Sequence, residues 1–217
     1  MIRRTALLIF VALVAAACST STPPERAAYL LRARASPDLA PADPDAMVGL
    51  AQVMIAPYLD RAGLVVAVGE NQVREAQHHV WAEPLDRGIQ TYLVARVSAL
   101  VGRELNTGFG AESTWRYRID VKLDEFHGAV DGNVKIAGRW ALVDRKERRA
   151  LAGARFTRSV PQHGEGYSGL VATQAALLDK LAEVIADALG DLPPSPPPKS
   201  PPLKSPPPKS PPPKASD

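Results

Sequence analysis

Residues 29–192 predict one domain of α+β or mixed α/β class: a mainly antiparallel or mixed sheet of about six strands, with two amphipathic helices packed on it. Three observations carry this. WRYRIDVKL alternates Trp115, Tyr117, Ile119, Val121 and Leu123 with Arg116, Arg118, Asp120 and Lys122, the period of a strand with one wet face. Asp131-Gly132 separates that run from another alternating one, which is hairpin chemistry. Two further stretches repeat apolar residues every three or four positions, the period of a helix.

Taken in order, YLLRA (29–33) and VGLAQVMIA (48–56) read as strands, and LVVAVGE (64–70) with QVREAQ (72–77) reads as a hairpin. Pro84 suits the first position of a helix. Leu85, Ile89, Leu93, Val97 and Leu100 supply its stripe, which stops near Gly102. After the Trp115 strand, NVKIAGRWALV returns with Val134, Ile136, Trp140 and Leu142 on one face. DRKERR turns the chain into a strand around Leu151 to Val160, completing a meander. The last helix carries Leu170, Gln174, Leu177, Leu178, Leu181, Ile185 and Leu189. Ser168 is its expected N-cap and Gly190 its expected left-handed stop.

The ends of the chain differ from this domain. Arg3 and Arg4 precede an uncharged apolar run, Ala6 to Ala17. As a helix, twelve residues rise about 18 Å, short of a hydrocarbon core of roughly 30 Å. A positive start, a short apolar middle and small residues at the end predict a signal peptide over 1–17. Cys18 follows Ala15-Ala16-Ala17 and is the one cysteine in 217 residues. This resembles the lipobox of bacterial lipoproteins, with Ala15 where Leu or Val is usual. The resemblance implies that Cys18 is the acylated first residue of the mature chain, with Ser19 directing it to the outer membrane. A lone cysteine cannot form an intramolecular disulfide, whereas acyl chains contribute about 0.8 kcal/mol per buried methylene. Residues 18–28 form a linker. Residues 193–217 repeat prolines with Lys-Ser, which predicts a disordered, extended polyproline II tail.

The sequence pI near 9.1 does not mark a nucleic-acid-binding face. Setting aside Arg3, Arg4, Lys199, Lys204, Lys209, Lys214 and Asp217 leaves 20 basic against 22 acidic residues.

Catalytic patterns are incomplete. Gly164 to Gly169 fits G-x-G-x-x-G, but no second strand with an acid follows, so a turn into the last helix is the reading preferred. His78 and His79 point to opposite faces of a strand, and neither they nor His127 and His163 lie at metal-ligand spacing. Ser168 lacks the nucleophile elbow, because Leu170 stands where its last glycine belongs. Asp120, Asp124 and Glu125 are read as a solvated face. No catalytic residue, cofactor or metal is expected. An enzyme acting on lipid or glycan through Asp120, Asp124, Glu125 or Ser168 is one rival reading.

Two stretches are more distinctive: APYLDR, with Pro57, Tyr58, Asp60 and Arg61, and HVWAEPL, with Trp81, Glu83 and Pro84. Structurally, Pro57 would end a strand, Trp81 would plug the core and Pro84 would start a helix. With Phe126-x-Gly128, Gly138-x-Trp140 and a last helix after Gly166-Tyr167, their order resembles the ABC-type transport auxiliary lipoprotein family over roughly Tyr29 to Leu189. The resemblance implies a non-enzymatic lipoprotein on the periplasmic side of the outer membrane, in envelope lipid transport. It implies a mammalian-cell-entry (MCE) domain partner, an inner-membrane component with an ABC ATPase, and ring-like self-association. Arg61, Tyr58 and Trp81 are then expected on a docking surface near the first helix. The other rival is a cell-wall-associated structural lipoprotein that contacts peptidoglycan through its Pro-Lys tail.

Overall fold

The computed structural model describes residues 25–33, 39–41, 47–107 and 115–192. The signal segment, Cys18, residues 18–24 of the linker and the 193–217 tail lie outside the described residues. Among the described residues no helix is long and apolar enough to cross a membrane.

The described residues form a large mixed sheet of nine strands carrying two helices. The strands are β1 (Ala27–Tyr29), β2 (Val48–Leu50), β3 (Met54–Ile55), β4 (Gly63–Gly69), β5 (Gln72–Trp81), β6 (Asn106–Thr107), β7 (Tyr117–Ala129), β8 (Asn133–Asp144) and β9 (Arg149–Pro161). The helices are α1 (Leu85–Val101) and α2 (Gly166–Gly190).

The expected meander is the backbone of the sheet. β7 and β8 pair antiparallel from Tyr117↔Asp144 to Gly128↔Val134, and β8 pairs antiparallel with β9. On the other edge of β7, three parallel segments lie end to end: Val48–Leu50 beside Tyr117–Ile119, Met54–Ile55 beside Lys122–Leu123, and Val66–Ala67 beside Gly128–Ala129. VGLAQVMIA therefore enters the sheet as two short strands, bridged where Ala51 N–H donates to Ile119 O (3.0 Å) and Ala56 N–H to Leu123 O (2.9 Å). Such two- and three-residue pieces raise the count from the expected six to nine. β4 and β5 make the predicted hairpin, and β5 carries β1 in parallel, with Tyr29 opposite Trp81.

Several boundaries differ from expectation. YLLRA contributes only Tyr29 to a strand that begins at Ala27, inside the expected linker, while Leu31 turns into the core. Trp115 lies before β7, buried against Gly49, where an added Cβ would lie 2.1 Å from the indole. Pro84 is the N-cap of α1, one residue earlier than predicted, and its carbonyl accepts from Arg87 and Gly88 N–H. In the last turn of α1 Val101 is partly buried against the core and Leu100 is 44% exposed. The helix ends as predicted at Gly102, left-handed with φ 69°.

The start of α2 is set by its glycine turn. Gln162 Nε2 donates to Gly164 O (3.1 Å) and Gly166 O (2.9 Å), and His163 N–H donates to Thr173 Oγ1 (2.8 Å). This closed turn makes Glu165 the N-cap and places Ser168 inside the first turn. Gly169 packs on Gly164, where a Cβ would lie 2.5 Å from the backbone. At the other end the helix runs through Gly190 into a right-handed Asp191, so the expected left-handed stop is not used.

Both helices cover one sheet face. Leu85, Ile89, Leu93 and Val97 meet Leu170, Leu177, Leu178, Leu181 and Ile185 over Ile119, Val121, Leu123, Phe126, Ile136 and Leu142. A buried glutamine ties each helix to the sheet: Gln90 Nε2 donates to Leu50 O and Gln174 Nε2 to Phe126 O, both at 3.2 Å. Each such bond contributes about 1 kcal/mol, and losing its partner would cost more than that.

Candidate functional site

The two distinctive stretches meet at one corner of the molecule. After β3, Leu59 N–H donates to Ala56 O, Asp60 N–H to Pro57 O and Arg61 N–H to Leu59 O, so PYLDR folds into a tight turn with Leu59 buried beneath it. Trp81 N–H donates to Ala62 O (2.7 Å), which joins the end of β5 to that turn, and Ala82 N–H donates to Tyr29 O (2.8 Å). α1 begins three residues later. Three separate chain segments thus converge where β1, β4 and β5 meet the start of α1.

The named residues divide by direction. Pro57, Asp60, Arg61 and Pro84 are exposed, whereas Tyr58, Trp81 and Glu83 are half-buried. Trp81 alternates onto the face of His79, whose ring stacks on Tyr167 of α2 at 4.0 Å, so Trp81 sits on the helix side and packs against the core. Glu83 lies over Gly88, where a Cβ would come within 3.5 Å of its carboxylate. Tyr58 leaves the corner for β7, where its hydroxyl donates to Asp124 O (3.2 Å) and its ring meets His127 edge-on. Burial, and then the charges of Glu125 and Asp124, push the Tyr58 phenol up to about 12. The expected trio is therefore not one patch: Arg61 is on the surface, Trp81 packs against the core with its backbone bonded to Ala62, and Tyr58 staples the turn to β7.

The acids of the enzyme reading are separately neutralised. Asp120 pairs with Arg118 (2.8 Å), Asp124 with Lys122 (3.0 Å) and Glu125 with Lys135 (2.6 Å). Ser168 is exposed in the first turn of α2. Among the described residues no three His, Asp or Glu side chains converge to hold a metal ion. Two histidines are engaged in packing: His79 Nδ1 is hydrogen-bonded to Tyr29 Oη at 2.9 Å, and buried His127 donates from Nδ1 to Gly128 O at 3.0 Å.

One polar cluster was not anticipated from sequence. Between the helices, Asp179 accepts from Tyr92 Oη (2.9 Å) and Arg96 Nε (2.6 Å). Burial, the hydrogen bond to Asp179 and its charge raise the Tyr92 phenol well above its usual range. The signal available was Asp179 directly after the apolar Ala175 to Leu178 run of the last helix.

The family model for the ABC-type transport auxiliary lipoprotein component matches residues 29–186. Intermembrane transport lipoprotein PqiC of Escherichia coli (strain K12) is 28% identical over 148 residues, covering 65% of this chain and 74% of PqiC. Among solved structures, an uncharacterized protein superposes with a TM-score of 0.63 at 24% identity, covering 76% of this chain and 99% of that one. Protein XCC0632 from Xanthomonas campestris superposes at 0.59 with 16% identity, covering 75% and 94%. At these identities the two structures establish a shared fold.

Proposed function

This chain belongs to the ABC-type transport auxiliary lipoprotein family, and from that premise we propose that it is the membrane-anchored docking component of an envelope lipid transport system. Cys18 carries the acyl anchor and holds the domain on the periplasmic side of the outer membrane. The partner is an MCE-domain protein served by an inner-membrane ABC component, and copies of the chain assemble around it. The chain performs no chemistry itself.

One observation supports the site of docking: PYLDR and WAEPL, far apart in sequence, meet through the Trp81–Ala62 hydrogen bond at a single exposed corner. Buried Leu59 and half-buried Trp81 hold that corner rigid while Pro57, Asp60, Arg61 and Pro84 face solvent. A rigid frame under a mixed-charge, proline-edged surface suits protein recognition, because little side-chain freedom is lost on binding.

Crosslinking in intact envelopes tests the reading. A photoreactive residue at position 60, which is exposed beside Arg61, should capture an MCE-domain protein, and adding Arg61→Glu to that chain should abolish capture while leaving lipidation and thermal melting unchanged. Repeated capture of no MCE-domain protein from a lipidated chain would sink it.

A further inference from the structure

The face of the meander opposite the helices carries a charge pattern that the docking corner does not use. Register places Met54, Lys122, Arg139 and Arg155 directly side by side across β3, β7, β8 and β9. Arg155 shares this face because β9 has a bulge. Near the turn Val143 opposes Ala150, but beyond Leu151 the pairing shifts by one, to Leu142↔Ala152 and Arg139↔Arg155. Without that shift Arg139 would face Ala154, and Arg155 would point to the helix side.

Like charges directly opposite on neighbouring strands are destabilising, and among the described residues no acid pairs with the two arginines of the row. The acids of this face, Asp120, Asp124 and Glu125, are matched to Arg118, Lys122 and Lys135. Arg139 and Arg155 are exposed and have no ion-pair partner among the described residues. On β8 and β9 their neighbours on this face are small, namely Ala137, Ala141, Ala150, Gly153, Thr157 and Ser159. Beside them β7 carries the Arg118–Asp120 and Lys122–Asp124 pairs and Glu125, which pairs with Lys135. The two guanidinium groups therefore stand above small side chains on their own strands, and Met54, 53% exposed, ends the row.

We propose that this face lies on an anionic phospholipid surface, with Arg139 and Arg155 gripping lipid phosphates. Guanidinium forks match phosphate oxygens in pairs. A flat, small-residue ground lets both reach a planar array of headgroups together, and Met54 adds an apolar contact that an acidic protein surface would not need. Geometry supplies a further reason. β1, where the tether from Cys18 enters, and β9 are opposite edges of the sheet, five strand spacings or about 24 Å apart. The nine steps from Cys18 to Ala27 reach at most about 30 Å. A tether at one edge and the arginines near the other would lay the sheet flat, with the helix layer facing away from lipid. The proposal takes from the preceding reading only that Cys18 holds the chain at a membrane; the vesicle test does not depend on that anchor.

The chain from Ser19 onward serves for the test, since among the described residues the core and the side chains packed on it run from Tyr29 to Leu192. It should float with phosphatidylcholine vesicles containing about one-third phosphatidylglycerol and not with pure phosphatidylcholine. Raising salt to about 1 M, where screening acts within about 3 Å, should release it. Arg139→Ala with Arg155→Ala should weaken binding roughly thirtyfold, as expected for two cations near an anionic surface. An equal charge loss at the β8–β9 turn, Lys146→Ala with Arg148→Ala, should change it less than about twofold on the same scale. The tail lysines are common to every variant. Equal losses in both pairs, or none in the first, would overturn the proposal. So would loss of capture of an acidic envelope protein with vesicle binding intact, which would assign the face to a protein partner. If the double variant melts early, Arg139→Gln and Arg155→Gln singly should each weaken binding about fivefold, and no weakening in either overturns it.

Discussion

Asp179 gives the sharpest test of how the two helices are held together. Its Oδ1 accepts from the hydroxyl of Tyr92, a residue 4% exposed, and from Arg96 Nε, and the Asp179 and Arg96 side chains are 33% and 26% exposed. Asp179→Ala would leave the Tyr92 hydroxyl buried against α2 without an acceptor. A hydrogen bond to a charged group contributes about 1.5–3 kcal/mol when buried, and a partly exposed ion pair adds about 0.5 kcal/mol. Discounted for that exposure, the loss should be about 2 kcal/mol, or about 6 °C in Tm for a domain of this size. Urea unfolding at neutral pH should show the lower midpoint with an unchanged slope. Asp179→Asn, which keeps an acceptor but not the charge, should recover about half of it. In a cycle with Tyr92→Phe the coupling should exceed about 1 kcal/mol. A loss below about 0.5 kcal/mol, or additive single changes, would show that α1 and α2 are held by apolar packing alone.

Two further outcomes follow from single contacts. Gly138 faces the β7 backbone so closely that an added Cβ would lie 2.1 Å from Lys122 O. Gly138→Ala, usually neutral or favourable in a strand, should therefore destabilise by more than about 2 kcal/mol in urea melts; a stabilised variant would contradict the register. Asp144 lies under the β8–β9 turn, where hydrogen bonds from Glu147 and Lys146 N–H and the nearby Arg116 and Arg149, opposed by desolvation, hold its carboxyl below 3.8. Its folded pKa is the lower one, so its contribution is present above the unfolded value and disappears as pH falls through the folded one. Asp144→Asn should be less stable than the parent at pH 7 and closer to it at about pH 3. An unchanged gap between the two would remove Asp144 from the acid response.

Much of the fold was legible in the sequence because its signals are local. The alternation from Tyr117 to Leu123, the Asp131-Gly132 turn and the apolar spacing of Leu85 to Val97 each act within a few residues, and each forms its element. The short strands were not legible: Val48–Leu50 and Met54–Ile55 are too brief to show a period and exist because β7 offers its edge. Helix ends failed in the same way. Ser168 has the chemistry of a cap, but the turn closed by Gln162 and Thr173 starts the helix before it reaches that residue.

The sequence by itself determined the mixed α and β fold class and the family-bearing stretches PYLDR and WAEPL. Only the tertiary structure decided that these two stretches share a corner, that Tyr58 leaves it for β7, and that Asp179 answers Tyr92 across the helix pair. It also decided that a single bulge at Leu151 turns Arg155 onto the face of Arg139. The physical reason is range. Periodicity and turn chemistry are written in neighbouring residues, whereas register and convergence depend on which distant strand supplies the hydrogen bonds, and a shift of one residue reverses every face.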